Sequence, residues 1–188
     1  MLKIKKYTCG NEMDLVPNIA FRLMSSSILV NEFFSKYSSR LEKFNIKNGF
    51  TIIDYGCGPG RYVKKAAQLV GKEGKVYAVD IHPLAEEYVQ KIIRKNELTN
   101  VTPVIVQRYS CPLPDNVADL IYILDTFHMI KDTNAFLKEI YRLLKSSGIS
   151  ILDDGHQPRA KTKQKIAASK LWSVFEENKD YLKCMPVY

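Results

Sequence analysis

The 188-residue sequence has few cysteines and no long apolar run. Cys9, Cys57, Cys111 and Cys184 are widely separated and form no C-x-x-C pair. This spacing argues against a zinc cluster or a disulfide framework, so a reducing cytoplasm is the expected compartment. The longest apolar stretches have about five residues, as in 120–124, and are too short to span a membrane. We therefore expect no membrane partner.

A secretory signal is also missing, because the basic N-terminus is not followed by an apolar core or a small-residue cleavage site. Positive charge is in excess, with a formal net charge of +8. Such an excess can bind nucleic acid through phosphate contacts. Most lysines are dispersed, however, and only the run QPRAKTKQKIAASK at 157–170 is dense. Lysine-rich helix faces are usually only solvated, which argues against nucleic-acid binding. We therefore keep RNA only as an alternative partner.

Short apolar runs of strand length alternate with helical patterns through the middle of the chain. Runs that are apolar on both faces are typical of strands buried in a parallel sheet. The predicted strands cover 51–54, 76–80, 102–107, 118–124 and 149–153. The predicted helices cover 61–70, a segment starting at Pro83, and 133–145. This alternation predicts a doubly wound α/β sheet with right-handed crossovers.

The two ends of the chain differ from this middle. Residues 17–44 have a helical pattern and are expected to cap the carboxyl edge of the sheet. Two strand-like runs at 171–177 and 180–187 flank a turn at 178–180, which predicts an antiparallel hairpin. We expect a single domain, with a helical cap over 1–45 and a Rossmann-like core over 46–188.

A glycine-rich loop follows the first predicted strand. Gly56, Gly58 and Gly60 come after Asp54 and directly before a helix. In such sheets ligands bind beyond the carboxyl ends of the strands, where glycine permits close backbone approach. The dinucleotide pattern G-x-G-x-x-G is broken, because Arg61 stands where its last glycine would be. A nicotinamide oxidoreductase is therefore disfavoured.

The acids at the ends of the first two strands narrow the ligand further. Asp54 would repel a pyrophosphate, whereas Asp80 is placed to accept hydrogen bonds from a ribose diol. The expected ligand is a nucleoside without phosphates that carries a cationic or amino-acid group. S-adenosylmethionine meets both demands.

Four segments resemble the class I S-adenosylmethionine-dependent methyltransferases, and the resemblance covers roughly residues 45–188. They are DYGCGPG at 54–60, VYAVDIHP at 76–83, NVADLIYILDTFHMI at 116–130 and FLKEIYRLLKSSGISILDD at 136–154. The resemblance implies a seven-stranded, mostly parallel sheet whose seventh strand is antiparallel. It also implies methyl transfer from S-adenosylmethionine.

The resemblance assigns roles by position. Asp54 and the backbone of 56–60 would hold the methionine end of the cofactor, Asp80 the ribose and Ile81 one face of the adenine. The chain departs from the family where an acid often precedes a Leu-Pro pair, because Tyr109 or Ser110 stands there. The predicted cofactor-binding residues are Asp54, Gly56, Cys57, Gly58, Gly60, Asp80, Ile81, Tyr109, Ser110 and Leu124.

Amine, hydroxyl, thiol and carbon-acid acceptors can each require a base for methyl transfer. His128 follows the fourth strand, on the edge where the methyl group should point, and is the candidate base. His82 is expected to be a helix N-cap or a cofactor neighbour. Asp153, Asp154 and His156 either orient a substrate or bind a metal, and we predict no metal.

A small-molecule acceptor is the leading hypothesis, since the chain has no recognisable RNA-binding appendage. The alternatives are an RNA or protein methyltransferase that uses residues 157–170, and a non-catalytic S-adenosylmethionine-binding protein. The group Phe33, Phe34 and Tyr37 forms either helix core or a cage for a cationic amine.

Overall fold

The computed structural model describes residues 15–34 and 36–187, with the backbone alone for 27–34 and 36–38. One seven-stranded sheet forms its centre, in the order β3-β2-β1-β4-β5-β7-β6. Strands β1 to β5 are parallel, and β7 is antiparallel to both β5 and β6. The strands are β1 (Thr51–Tyr55), β2 (Lys75–Asp80), β3 (Val101–Ile105), β4 (Ala118–Ile123), β5 (Leu144–Leu152), β6 (Trp172–Glu177) and β7 (Leu182–Pro186). The predicted parallel sheet with a terminal hairpin is confirmed.

Helices precede the sheet and connect the parallel strands, except between β3 and β4, where the described chain has no helix. They are α1 (Asn18–Phe34), α2 (Val63–Val70), α3 (Pro83–Asn96), α4 (Thr133–Leu143) and α5 (Arg159–Ala168), with 3-10 helices at Lys36–Phe44 and Phe127–Met129. The helical N-terminal segment is therefore confirmed. Sequence reasoning missed α5, because only Thr162 and Ile166 are buried on it and the apolar periodicity is weak. It also placed the start of β5 five residues too late.

The sheet has a covered surface on each side. Because successive strand residues point to opposite faces, Ile53 packs in a cluster with Phe136 of α4, whereas Ile52 packs in a cluster with Ala66 of α2. Each central strand is thus buried on both sides, which explains its continuous apolar sequence. Among the described helices, none is both long and apolar enough to cross a membrane.

The N-terminal segment lies across the carboxyl edge of the sheet. Phe21 of α1 is fully buried, and its ring stacks on the His82 imidazole with centroids 4.0 Å apart. The 3-10 helix that follows buries Leu41 and Phe44 beside β4. The Phe21 contact places α1 at the end of β2, as the sequence predicted, whereas Leu41 and Phe44 belong to the core cluster that β1 forms with α2. The side chains of Phe33, Phe34 and Tyr37 lie outside the described part of the structure.

Candidate active site

A cleft of about 500 Å³ opens where β1, β2 and β4 end. Residues of α1 form its opposite wall, including Ala20, Phe21 and Met24. Of the predicted cofactor-binding residues, the cleft brings together Gly56, Cys57, Gly58, Asp80, Ile81, Tyr109 and Leu124. Three others, Asp54, Gly60 and Ser110, are not part of the lining that the structure shows.

The glycine loop is fixed from below by the neighbouring strand. The amides of Gly56 and Cys57 both donate to the carbonyl oxygen of Val79, at 2.8 and 3.0 Å. Gly56 has a φ of +84°, and a Cβ there would overlap the side chain of Thr126. Gly60 faces α3 instead, because a Cβ built on it would lie 2.7 Å from Cδ1 of Ile92. It lets the loop pack against α3 and does not face the cleft.

The carboxylate of Asp80 organises the same loop. Its Oδ2 accepts from the Gly58 amide at 2.8 Å, and its Oδ1 accepts from the His82 amide at 2.7 Å. Burial raises the pKa of Asp80, and the backbone hydrogen bonds from His82, Gly58 and Ile81 oppose that shift. Each carboxylate oxygen retains capacity for a second donor. The arrangement therefore suits the two hydroxyls of a ribose.

Asp54 lies beneath the loop and is only 2% exposed. Its Oδ2 is buried without a hydrogen-bond partner. Burial raises the pKa of Asp54 to about 8; Tyr122 opposes the shift and Asp80 adds to it. A buried carboxyl oxygen that accepts no hydrogen bond makes ionisation of the group costly, even with Tyr122 beside it, unless a ligand compensates the charge. A cationic group in the cleft above would provide that compensation and favour ionisation.

The opposite side of the cleft floor is apolar and aromatic. Ile81, Val106 and Tyr109 line it. The Tyr109 hydroxyl accepts from the Asp132 amide at 2.8 Å, at the start of α4. Ser110 is exposed, and its amide closes a turn onto the Gln107 carbonyl. Tyr109 thus contributes to this surface of the cleft, whereas Ser110 belongs to a turn outside the cleft lining.

A charged network forms the other end of the cleft. Nη2 of Arg40 lies 2.9 Å from Oδ2 of Asp153, and its Nη1 donates to the Tyr62 hydroxyl at 3.2 Å. Asp125 Oδ2 lies 3.7 Å from Arg40 and 3.6 Å from Arg61. The Asp125 amide donates to Oδ1 of Asp153 at 2.8 Å. These contacts join the N-terminal segment to the ends of β4 and β5.

Sequence reasoning missed most of this network. Asp80 is the last residue of β2, and Asp125 lies two residues beyond the end of β4, so both acids stand at the carboxyl edge of the sheet where ligands bind. No comparable local signal marks Arg40, whose partner Asp153 lies 113 positions away. Burial and the nearby Asp125 raise the pKa of Asp153 to about 6, while Arg40 lowers it.

His128 lies in the cleft beside this network, as expected for a residue following β4. It is 4% exposed, and its Nδ1 is buried without a hydrogen-bond partner. Its ring meets that of His156 edge to face, with centroids 4.9 Å apart. Burial first, and then His156, lower the pKa of His128 to about 4. The imidazole is therefore uncharged at neutral pH.

The two adjacent acids after β5 form ion pairs with different arginines. Asp153 pairs with Arg40, whereas Asp154 pairs with Arg159 at 2.7 Å. Among the described residues, no group of three or more His, Cys, Asp or Glu side chains is placed to hold a metal ion. His82 caps α3, because its Nδ1 accepts from the Leu84 amide at 3.2 Å.

The basic run is partly neutralised within the chain. Arg159 lies 3.2 Å and Lys163 2.8 Å from the carboxylate of Glu177. These two cations of α5 are held against β6.

Comparison with known proteins agrees with this geometry. Residues 46–185 match a family described as a methyltransferase domain. The chain is 25% identical over 135 residues to demethylmenaquinone methyltransferase of Geobacillus sp. strain WCH70, covering 72% of this chain and 58% of that one. It is 28% identical over 142 residues to the Ubiquinone/menaquinone biosynthesis C-methyltransferase UbiE of Escherichia coli O1:K1 / APEC, covering 72% and 57%. The chain thus spans a little over half the length of these curated relatives.

A solved structure gives the same result over a larger share of the fold. The S-adenosylmethionine-dependent methyltransferase of Aquifex aeolicus superimposes with a TM-score of 0.76 and is 25% identical. The match covers 87% of this chain and 98% of that one. The predicted cofactor is thus the one that this family uses. The chain belongs to the methyltransferase domain family, in its class I, S-adenosylmethionine-dependent form.

Proposed function

We propose that the chain transfers a methyl group from S-adenosylmethionine to a small organic acceptor. The observation that carries the proposal is the pairing of Asp80 with the glycine loop at one end of a cleft whose other end holds ionisable side chains. One end offers the contacts that a nucleoside with an amino-acid group requires. The other offers a partly enclosed place for a second molecule.

The residues present fit the cofactor. Asp80 would hold the ribose, and the loop backbone with Asp54 beneath it would hold the charged methionine end. Bound S-adenosylmethionine supplies an electrophilic methyl group, and the positive charge of its sulfonium is dispersed in the transition state of methyl transfer. The protein's contribution is then alignment of the acceptor and exclusion of water, which the α1 wall supports by covering the cleft.

We place the acceptor near His128, Tyr62 and Asp125. His128 is uncharged at neutral pH because of its low pKa, so it can accept a proton or a hydrogen bond from the acceptor. Relatives named as methyltransferases of demethylmenaquinone and of ubiquinone and menaquinone biosynthesis support a small-molecule acceptor. We extend to this chain the class of acceptor only.

The internal pairing of Arg159 and Lys163 gives no support to the RNA alternative. Calorimetric titration of the purified chain with S-adenosylmethionine, S-adenosylhomocysteine and NAD tests the proposal. We expect micromolar binding of the first two and none of NAD. Preference for NAD would reject the cofactor assignment. Methyl transfer to a panel of small phenols, quinols and amines, against an RNA pool, then separates an enzyme from a non-catalytic binder.

A further inference from the structure

Thr126 occupies a position between the glycine loop and the end of β4. Its Oγ1 lies 3.0 Å from the carbonyl oxygen of Leu124 and 3.3 Å from that of Gly56. A hydroxyl group carries one hydrogen, so it can donate fully to only one of these carbonyls at a time. The hydroxyl oxygen therefore lies within hydrogen-bonding distance of both carbonyl oxygens, and all three residues line the cleft.

The same side chain sets the position of the loop. A Cβ built on Gly56 would overlap the Thr126 side chain, so the threonine fills the space that a larger residue 56 would take. Both Gly56 and Thr126 line the cleft, and the buried carboxyl of Asp54 lies just before the loop. Thr126 thus contacts the part of the loop nearest the proposed cationic end of the cofactor.

We propose that Thr126 is a binding residue for the amino-acid end of the cofactor. Its hydroxyl completes, with the carbonyls of Gly56 and Leu124, a set of three acceptors for an ammonium group, which has three N–H donors. The hydroxyl, the methyl group and Cβ of Thr126 all occupy the space beside Gly56, so the side chain also packs against the loop. The inference rests on the proposed function and adds a residue outside the glycine motif to cofactor recognition.

Three ligands and three variants test the role. Thr126→Val keeps the shape and removes the hydroxyl, and Thr126→Ser keeps the hydroxyl. Thr102→Val makes the first change at an exposed position of β3, outside the described cleft lining. Each is titrated calorimetrically with S-adenosylhomocysteine, with sinefungin and with 5′-methylthioadenosine. The last has the nucleoside and sulfur but no amino-acid group. Thermal unfolding verifies that each variant is folded.

We expect Thr126→Val to weaken S-adenosylhomocysteine and sinefungin about tenfold, since a hydrogen bond to a charged group is lost. Its affinity for 5′-methylthioadenosine should stay within about twofold of the parent, and Thr126→Ser and Thr102→Val should bind all three almost normally. Equal losses for all three ligands would overturn the inference, because they would show a purely structural role. Unchanged binding by Thr126→Val would also overturn it.

Ligand binding by the unmutated chain distinguishes failure of this inference from failure of the proposed function. If the parent binds neither S-adenosylhomocysteine nor 5′-methylthioadenosine, the cofactor assignment fails and the inference falls with it. If the parent binds both and Thr126→Val does not distinguish them, the cofactor assignment stands and only the role of Thr126 is rejected.

Discussion

The two ends of the cleft are built in different ways. At the proposed cofactor end, the glycine loop and Asp80 line the cleft, Asp54 lies beneath the loop, and backbone amides fix the Asp80 carboxylate. At the acceptor end, side chains from separate segments meet, as Arg40 and Asp153 do. A local motif thus defines the cofactor end, whereas tertiary packing defines the acceptor end.

This difference predicts where substitutions act. Changes at the cofactor end should alter nucleoside binding and leave the acceptor step intact. Changes at the acceptor end should alter turnover or the anchoring of the N-terminal segment.

The largest effect is expected at Asp80. Asp80→Asn removes the charge that we propose holds the ribose hydroxyls. It also places a side-chain NH2 group against the backbone N–H of Gly58 or His82, so that two donors face each other. We expect S-adenosylhomocysteine to bind about 100-fold more weakly or worse. Asp115→Asn is the matched control, because that acid is exposed and pairs with Arg142. Calorimetry with both variants measures the affinities. Near-normal binding by Asp80→Asn would contradict the proposal that Asp80 binds the cofactor at this end of the cleft.

The next effect concerns His128. If it accepts a proton from the acceptor, His128→Asn should lower kcat about 100-fold and leave cofactor affinity within about threefold. Because burial lowers the pKa of His128 to about 4, its titration should not shape the rate profile between pH 6 and 8. Steady-state kinetics on an identified acceptor provide the measurement. A larger decrease in kcat for His156→Asn than for His128→Asn would instead indicate His156 as the proton acceptor.

A smaller effect is expected where the network joins the N-terminal segment to the sheet. Arg40→Gln leaves the buried Asp153 carboxylate without its ion pair and should lower the free energy of unfolding by about 2 kcal/mol. Lys43→Gln, in the same 3-10 helix, breaks only an exposed pair with Asp180 and should cost less than about 0.5 kcal/mol. Urea denaturation compares them. Equal costs would show that the network does not anchor the segment.

The smallest effect is a change with pH. The pKa of Asp54 is raised to about 8 in the free protein, so the group is largely protonated at neutral pH. A cationic ligand favours its ionisation, so affinity for S-adenosylmethionine should rise about tenfold from pH 6.5 to 7.5, with release of up to about one proton. Titrations in buffers of different ionisation enthalpy measure that release. A proton release that persists in Asp54→Asn would assign it to another group.

The same linkage affects stability with the opposite sign. Since the folded-state pKa of Asp54 lies above its ordinary value of 3.8, the folded protein holds a proton that the unfolded chain has lost. Without ligand, stability from this group is full below about pH 4 and declines as pH rises toward 8.

The contrast also explains what the sequence could predict. The sheet, its terminal hairpin and the glycine loop follow from short-range patterns, because strand periodicity and glycine spacing are local properties. The role of Gly60 in packing against Ile92 and the exposure of Ser110 depend on neighbours that the motif does not contain. Arg40 and the role that we propose for Thr126 could not be predicted, because both depend on contacts with distant segments.

A crystal structure of the chain with S-adenosylhomocysteine tests the central claim most directly. We predict the ribose hydroxyls within hydrogen-bonding distance of the Asp80 carboxylate, the amino-acid end against Gly56 and Thr126, and the sulfur directed toward His128. An adenosine bound at the end formed by Arg40 and His128, or a ligand that makes no contact with Asp80, would contradict the account.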